Sequence, residues 1–168
     1  NLGEGLMGLG RYDEAKTLFT KAYTWAAASD DPRTLAEVWL NRAKIGILCE
    51  DWEGAEEALG EAKSIAKRTG IPRVNAQVTR GFGVLALSRT DRKGEARERT
   101  LNRAIKYLRR AVQQLEDGGF ELDAAATQER LAEALEAANQ GDQARSERQA
   151  AEARRAKLRL TAEAKSGT

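Results

Sequence analysis

Gly10-Arg11-Tyr12-Asp13-Glu14-Ala15, followed by Leu18, Phe19, Ala22, Trp25 and Ala26, is the stretch on which the fold turns. Forty residues later the pattern returns as Glu50-Asp51-Trp52-Glu53-Gly54-Ala55, with Leu59, Ala62, Ile65 and Ala66 behind it. Tyr12 becomes Trp52, Ala15 becomes Ala55, Phe19 becomes Leu59 and Ala22 becomes Ala62. The turns keep the same offset, because Asp31-Pro32-Arg33 is echoed by Ile71-Pro72-Arg73. Proline suits the first position of a helix, where its missing N–H has no partner to lose. Each proline therefore opens the first helix of a new unit.

Small residues mark these same first helices. Leu2-Gly3, Arg42-Ala43 and Phe82-Gly83 share one phase, where a Gly or Ala lets paired helices approach closely. Past the third unit the offset lengthens. Ala55 finds its counterpart at Ala144, 89 residues on, which is two periods of 40 plus nine inserted residues. The charged stretch from Thr90 to Arg99 is the natural place for the insertion. With it allowed for, Pro72 maps to Glu121 and Phe82-Gly83 to Leu131-Ala132, just after Gly118-Gly119. Residue Glu95 then stands at the small position of the third unit. Apolar spacing of 3.6 residues predicts helices over 1–9, 12–28, 33–48, 52–68, 73–89, 96–116, 121–138 and 142–160.

Composition agrees with an all-α chain. Of 168 residues 41% are apolar, 32% charged and 5% aromatic, and only two are proline, a mix that favours helix at most positions. The net charge of +2 is close to balance and is not the field of a dedicated nucleic-acid binder. No run approaches the length of a membrane span, and no signal peptide is visible. One cysteine, Cys49, cannot form an internal disulfide, so a reducing, cytoplasmic setting is expected. Because the chain opens on Asn1, inside a helical pattern, it reads as the C-terminal piece of something longer or as a trimmed chain.

Chemistry finds little to work with. There is no histidine, which removes the commonest general base near neutral pH and the usual zinc ligand sets. Cys49 follows Ile45, Ile47 and Leu48 and reads as a buried, inert thiol. Glu56-Glu57 lie on an exposed helix face, where nothing separates their acidities. Gly3-x-Gly5-x-x-Gly8 spells a dinucleotide fingerprint, yet no strand precedes it and no parallel-sheet unit surrounds it. Helix packing explains Gly3 and a turn explains Gly10. Gly5 and Gly8 would suit close approach to a helix preceding this sequence or to a ligand backbone. No enzyme activity, cofactor or metal is expected.

Leu2-Gly3, Gly10, Tyr12, Ala15, Phe19 and Ala22 together resemble a tetratricopeptide repeat. The second unit is similar through Trp39, Trp52, Ala55, Leu59 and Ala62, but departs from the pattern at Arg42 and Gly46. The third keeps Phe82-Gly83 and the fourth Leu131-Ala132, Leu135 and Ala144. The period of 40, against the usual 34, resembles the longer arrays of kinesin light chains and of bacterial regulators of the maltose-activator type. The resemblance implies a right-handed α-solenoid of antiparallel helix pairs, one domain over 1–168. Its units are a truncated 1–28, then 33–68, then 73–116 with the insertion near 90–99, then 121–160 ending in a polar capping helix.

It also implies a protein- or peptide-binding scaffold, or the sensing module of a larger intracellular regulator. In such stacks the first helix of each pair lines the concave docking face. By register that face shows Leu40, Lys44, Ile47, Arg80, Val84 and Leu87, with Glu4, Glu37 and Gln77 beside them. Apolar residues interleaved with Lys44 and Arg80 suit a peptide with an apolar anchor and an acidic group. The alternative is that Leu40, Ile47 and Leu87 are core. The two-carboxylate clamp of some tetratricopeptide domains is not expected, since Asn41 has a suitable phase but Glu4 stands where the first unit needs an Asn.

Two basic regions remain. From Thr90 to Arg110 eight positives (Arg92, Lys93, Arg97, Arg99, Arg103, Lys106, Arg109, Arg110) meet three negatives (Asp91, Glu95, Glu98), a local sum of +5. Phosphate or nucleic-acid binding is the weaker reading, because Tyr107 is the one aromatic there. A solvated face with helix pairs such as Glu95–Arg99 is the expected one. The C-terminal Arg145, Arg148, Arg154, Arg155, Lys157 and Arg159 alternate with Glu147 and Glu152, and read as a fraying cap. A helix that pairs with a second copy, making the array an oligomerisation module, is the second functional reading.

Overall fold

Six left-handed residues set the rhythm of the chain. Gly10, Asp30, Glu50, Gly70, Gly119 and Asn139 all have positive φ, between 48° and 72°. They follow one another at intervals of twenty residues, except for the step from Gly70 to Gly119. At five of them the next amide reaches back to the preceding helix: Arg11 N to Leu6 O (2.9 Å), Asp31 N to Ala26 O (3.1 Å), Asp51 N to Gly46 O (2.8 Å), Phe120 N to Leu115 O (2.8 Å) and Gln140 N to Leu135 O (2.8 Å). This closes the helix in a Schellman turn. The same residue then opens the next helix by accepting at its own carbonyl, from Ala15, Leu35, Ala55, Ala124 and Ala144. One residue ends one helix and starts another, so successive helices must fold back as hairpins.

The computed structural model describes residues 2–89 and 94–166. Its helices are α1 (Leu2–Gly8), α2 (Tyr12–Ala28), α3 (Pro32–Leu48), α4 (Trp52–Thr69), α5 (Pro72–Ser88), α6 (Glu95–Asp117), α7 (Glu121–Ala137) and α8 (Gly141–Ser166), and no strand occurs among the described residues. Seven of the eight agree with the expected spans to within a residue or so at each end. The last helix runs six residues beyond residue 160. No described helix is long and apolar enough to cross a membrane.

Contacts divide the chain into two compact units, Asn1–Gly81 and Phe82–Thr168. In the first, Leu6, Met7, Ala15, Phe19, Val38 and Ile45 form a core. In the second, Ala104, Ile105, Leu108, Leu131, Leu135 and Ala144 belong to one. Helix α5 gives its first half to one unit and its second half to the other.

The phased small residues do what their spacing requires. Gly3, Ala43, Gly83 and Ala132 are all buried. A Cβ on Gly3 would stand 2.6 Å from the Phe19 ring, and one on Gly83 would stand 2.7 Å from Leu108 Cγ. Ala15, Ala55 and Ala144 are each fully buried. The third-unit counterpart is Ala104, also fully buried, and not Glu95, which is exposed. The inserted residues all precede the alanine, so the small position shifts by nine. Of the expected insertion, residues 90–93 lie outside the described residues, with Asp91, Arg92 and Lys93 among them.

One further expectation is corrected. Cys49 is exposed, because it is the C-cap of α3, where the chain has already turned away from the core behind Ile45 and Gly46. Gly46, a departure from the repeat pattern, is buried where a Cβ would come within 3.0 Å of Ala55 Cβ, so glycine here lets α3 touch α4. A Cβ on Gly5 or Gly8 would meet nothing within 4 Å among the described residues.

Candidate peptide-binding face

Helix α3 carries the central part of the proposed face. Asp31 caps it, accepting from the amides of Arg33 and Thr34 (3.1 Å each) and from Thr34 Oγ1 (2.6 Å). The Thr34 hydroxyl above all, then its amide, holds the Asp31 carboxyl below its ordinary acidity range. With Pro32 at the first helical position, the start of α3 is fixed, and with it the register of every later side chain. Ala36, Val38, Ala43, Ile45 and Gly46 face inward. Leu40 and Ile47 are half-buried and Lys44 is exposed. Spaced i, i+4 and i+7, these three lie along one strip of the helix.

Neighbouring groups define the strip's flanks. Glu37 is exposed and pairs with Arg33 at 3.4 Å. Asn41 and Gln77 are half-buried, and Glu4 is exposed. On the flank away from Lys44, Arg42 lies over the Trp39 ring at 4.5 Å. Trp39 meets Tyr23 of α2 edge-on, with centroids 5.6 Å apart. This stack was not foreseen; the signal was Trp39 and Arg42 three residues apart on one helix.

Arg80, half-buried, belongs to the same unit as α3. Val84 and Leu87 belong to the second unit, where both are half-buried and pack against its core. Thus Leu40, Lys44 and Ile47 share one strip of α3, and Arg80 of α5 lies in the same unit. Val84 and Leu87 serve the second unit's interior with one side and are open on the other.

The basic stretch resolves into one face of α6. Arg99, Arg103, Lys106, Arg109 and Arg110 are all exposed. The expected Glu95–Arg99 pair is not formed. Arg103 lies 5.7 Å from the centroid of Tyr107, whose ring stacks on Phe82, so the aromatic is committed to packing. An open cleft of about 430 Å³ lies nearby, between Arg97, Leu101 and Asn102 of α6 and Ala138, Asn139 and Gln140 of the α7–α8 turn.

The C-terminal arginines are not a frayed cap. Arg154 donates to Glu116 of α6, to Glu121 of α7 and, at 3.0 Å, to Gln128 Oε1. Gln128, 4% exposed, donates in turn to Glu147 at 3.3 Å. Arg155 pairs with Glu129, and Arg148 holds Glu136 with two bonds, one of 2.7 Å. The hydrogen bonds from these arginines hold the carboxyls of Glu129 and Glu136 below their ordinary range.

No family model and no curated protein matches the chain. Twelve solved chains do. One is the crystal structure of BtubC (BKLC) from P. vanneervenii, with a TM-score of 0.69 at 23% identity over 94% of this chain. The fold is a helical repeat. Antiparallel hairpins with a recurrent small-residue phase place it in the α-solenoid class. The chain spans 62% of the length of BtubC.

Proposed function

We propose that this chain is a tetratricopeptide-type binding module of the longer, forty-residue variety. It takes a peptide segment of a partner protein on the exposed strip of its first-position helices, as the scaffolding or sensing part of an intracellular regulator. Its role is to bind and not to catalyse. The observation that carries this reading is the α3 strip, in which half-buried Leu40 and Ile47 flank exposed Lys44. Half-buried apolar groups gain from being covered, and a cation between them selects an acidic neighbour over a neutral one. The helical-repeat fold and the small-residue phase at Gly3, Ala43, Gly83 and Ala132 support it, because that register is what turns the strip outward.

A fluorescent peptide with a Leu anchor between two Glu residues is the probe. Fluorescence anisotropy should show saturable binding that falls about tenfold on Lys44→Glu, with a further loss on Arg80→Glu, the size expected of a charge-assisted contact replaced by repulsion. Unchanged affinity in both variants, with helix content intact, overturns the reading.

A further inference from the structure

Helices α4 and α6 occupy equivalent places in successive repeats, 49 residues apart. Four buried positions match: Ala55 with Ala104, Leu59 with Leu108, Ala62 with Ala111, and Ala66 with Leu115. Three pairs of their exposed positions are opposite in charge. Glu57 corresponds to Lys106, Glu61 to Arg110, and Arg68 to Asp117, and all six residues are exposed. None of the six has an ion-pair partner among the described residues; Asp117 accepts one hydrogen bond, from Gln113 on its own helix. The charges are therefore not used up within the described part of one chain.

We propose that α6 docks in parallel on α4 of a second copy of this chain, with these three pairs in register. The pattern selects both the partner and the direction. In parallel register each position meets its opposite, over a span of about 16 Å at 1.5 Å per residue. In antiparallel register Glu57 would meet Asp117 and Arg68 would meet Lys106, which sets like charges together at both ends. Duplex nucleic acid fits less well. The cations form a single stripe that ends in an acid, on a helix whose opposite face is buried, whereas groove binding uses phosphates on two flanks of a protruding helix. Exposed pairs are individually weak, so the association is reversible and salt-sensitive, and it is independent of the peptide-binding reading on α3.

Sedimentation velocity of the whole chain tests it, at ionic strengths near 0.01 M and 1 M, where the Debye length is roughly 30 Å and 3 Å. The chain should self-associate at low salt and dissociate at high salt. Glu57→Lys/Glu61→Lys/Arg68→Asp and Lys106→Glu/Arg110→Glu/Asp117→Arg should each weaken association about tenfold or more, the combined effect of three ordinary exposed pairs. Mixing the two variants should restore it, because the reversed α4 then faces the reversed α6. Circular dichroism confirms that each variant is folded. A monomer at low salt overturns the proposal, as does association that survives either reversal, or a mixture that stays dissociated. Binding of poly-glutamate or duplex DNA without self-association overturns it too, in favour of a foreign anionic partner on α6.

Discussion

Gly60 and Gly83 both lie inside helices, in α4 and α5, yet a methyl group would act in opposite directions at the two positions. At Gly60 it would meet nothing within 4 Å, so Gly60→Ala exchanges a flexible exposed backbone for a good helix former. That change should stabilise the chain by about 1 kcal/mol. At Gly83 the same methyl would stand 2.7 Å from Leu108 Cγ and 3.2 Å from the Leu108 backbone nitrogen, and Leu108 is fully buried. Gly83→Ala should destabilise by roughly 1–3 kcal/mol, the usual cost of overpacking. Urea denaturation of the two variants checks the contrast, and equal shifts would show that Gly83 is not a packing glycine. The sequence distinguishes these positions by phase alone, since Gly83 shares its register with Gly3 and Ala43 and Gly60 shares it with nothing small. Cys49 was misplaced for the converse reason. Its apolar neighbours suggested burial, but the cap residue is set by where the turn begins, and Glu50 already has a φ of 58°.

Among the helices, α8 is the one whose attachment could not be read from apolar spacing. It offers Ala144 and Ala151 to the core, little area for 26 residues, and by that measure it should fray. What holds it is a set of guanidinium groups aimed back across the hairpin, a geometry that periodicity does not encode because the partners are 12 to 38 residues away. Arg154, whose side chain is 23% exposed, joins α8 to both α6 and α7. Arg154→Ala leaves Glu116, Glu121 and the buried Gln128 without their donor, and should cost about 2–3 kcal/mol. Hydrogen exchange of α8 amides should quicken in this variant more than that of α3. Acid acts on the same attachment. The Glu129 and Glu136 carboxyls titrate lower in the folded chain than in the unfolded one. Their contribution is thus complete above the ordinary carboxylate range and fades as pH falls through it. Loss of α8 protection should therefore begin below about pH 5 in the native chain, and be weaker in an Arg148→Gln/Arg155→Gln variant, which has less to lose.

At the scale of the molecule, the repeat register was legible because three signals agreed at one offset of forty residues: the small residues, the turn aromatics and the prolines. The division into Asn1–Gly81 and Phe82–Thr168 was not, since it falls within α5 and no proline, loop or change of composition announces it. Continuous helix through a boundary has a cooperative consequence. If α5 forms and melts as one helix, loss of it on one side of the boundary removes it from the other side too. The three tryptophans, Trp25, Trp39 and Trp52, all lie in the first unit. Their fluorescence therefore follows that unit alone, while ellipticity at 222 nm follows both. In the native chain the two urea transitions should coincide. Gly81→Pro breaks α5 at the boundary, at a cost of about 3 kcal/mol for an interior helix position, and should pull the fluorescence and ellipticity midpoints apart. A control, Gly60→Pro in α4, carries the same backbone penalty but lies within one unit, and should shift the fluorescence transition without relieving the second unit of its dependence on α5. If the two probes already disagree in the native chain, or still coincide in Gly81→Pro, then α5 is not what couples the units, and each would fold on its own account.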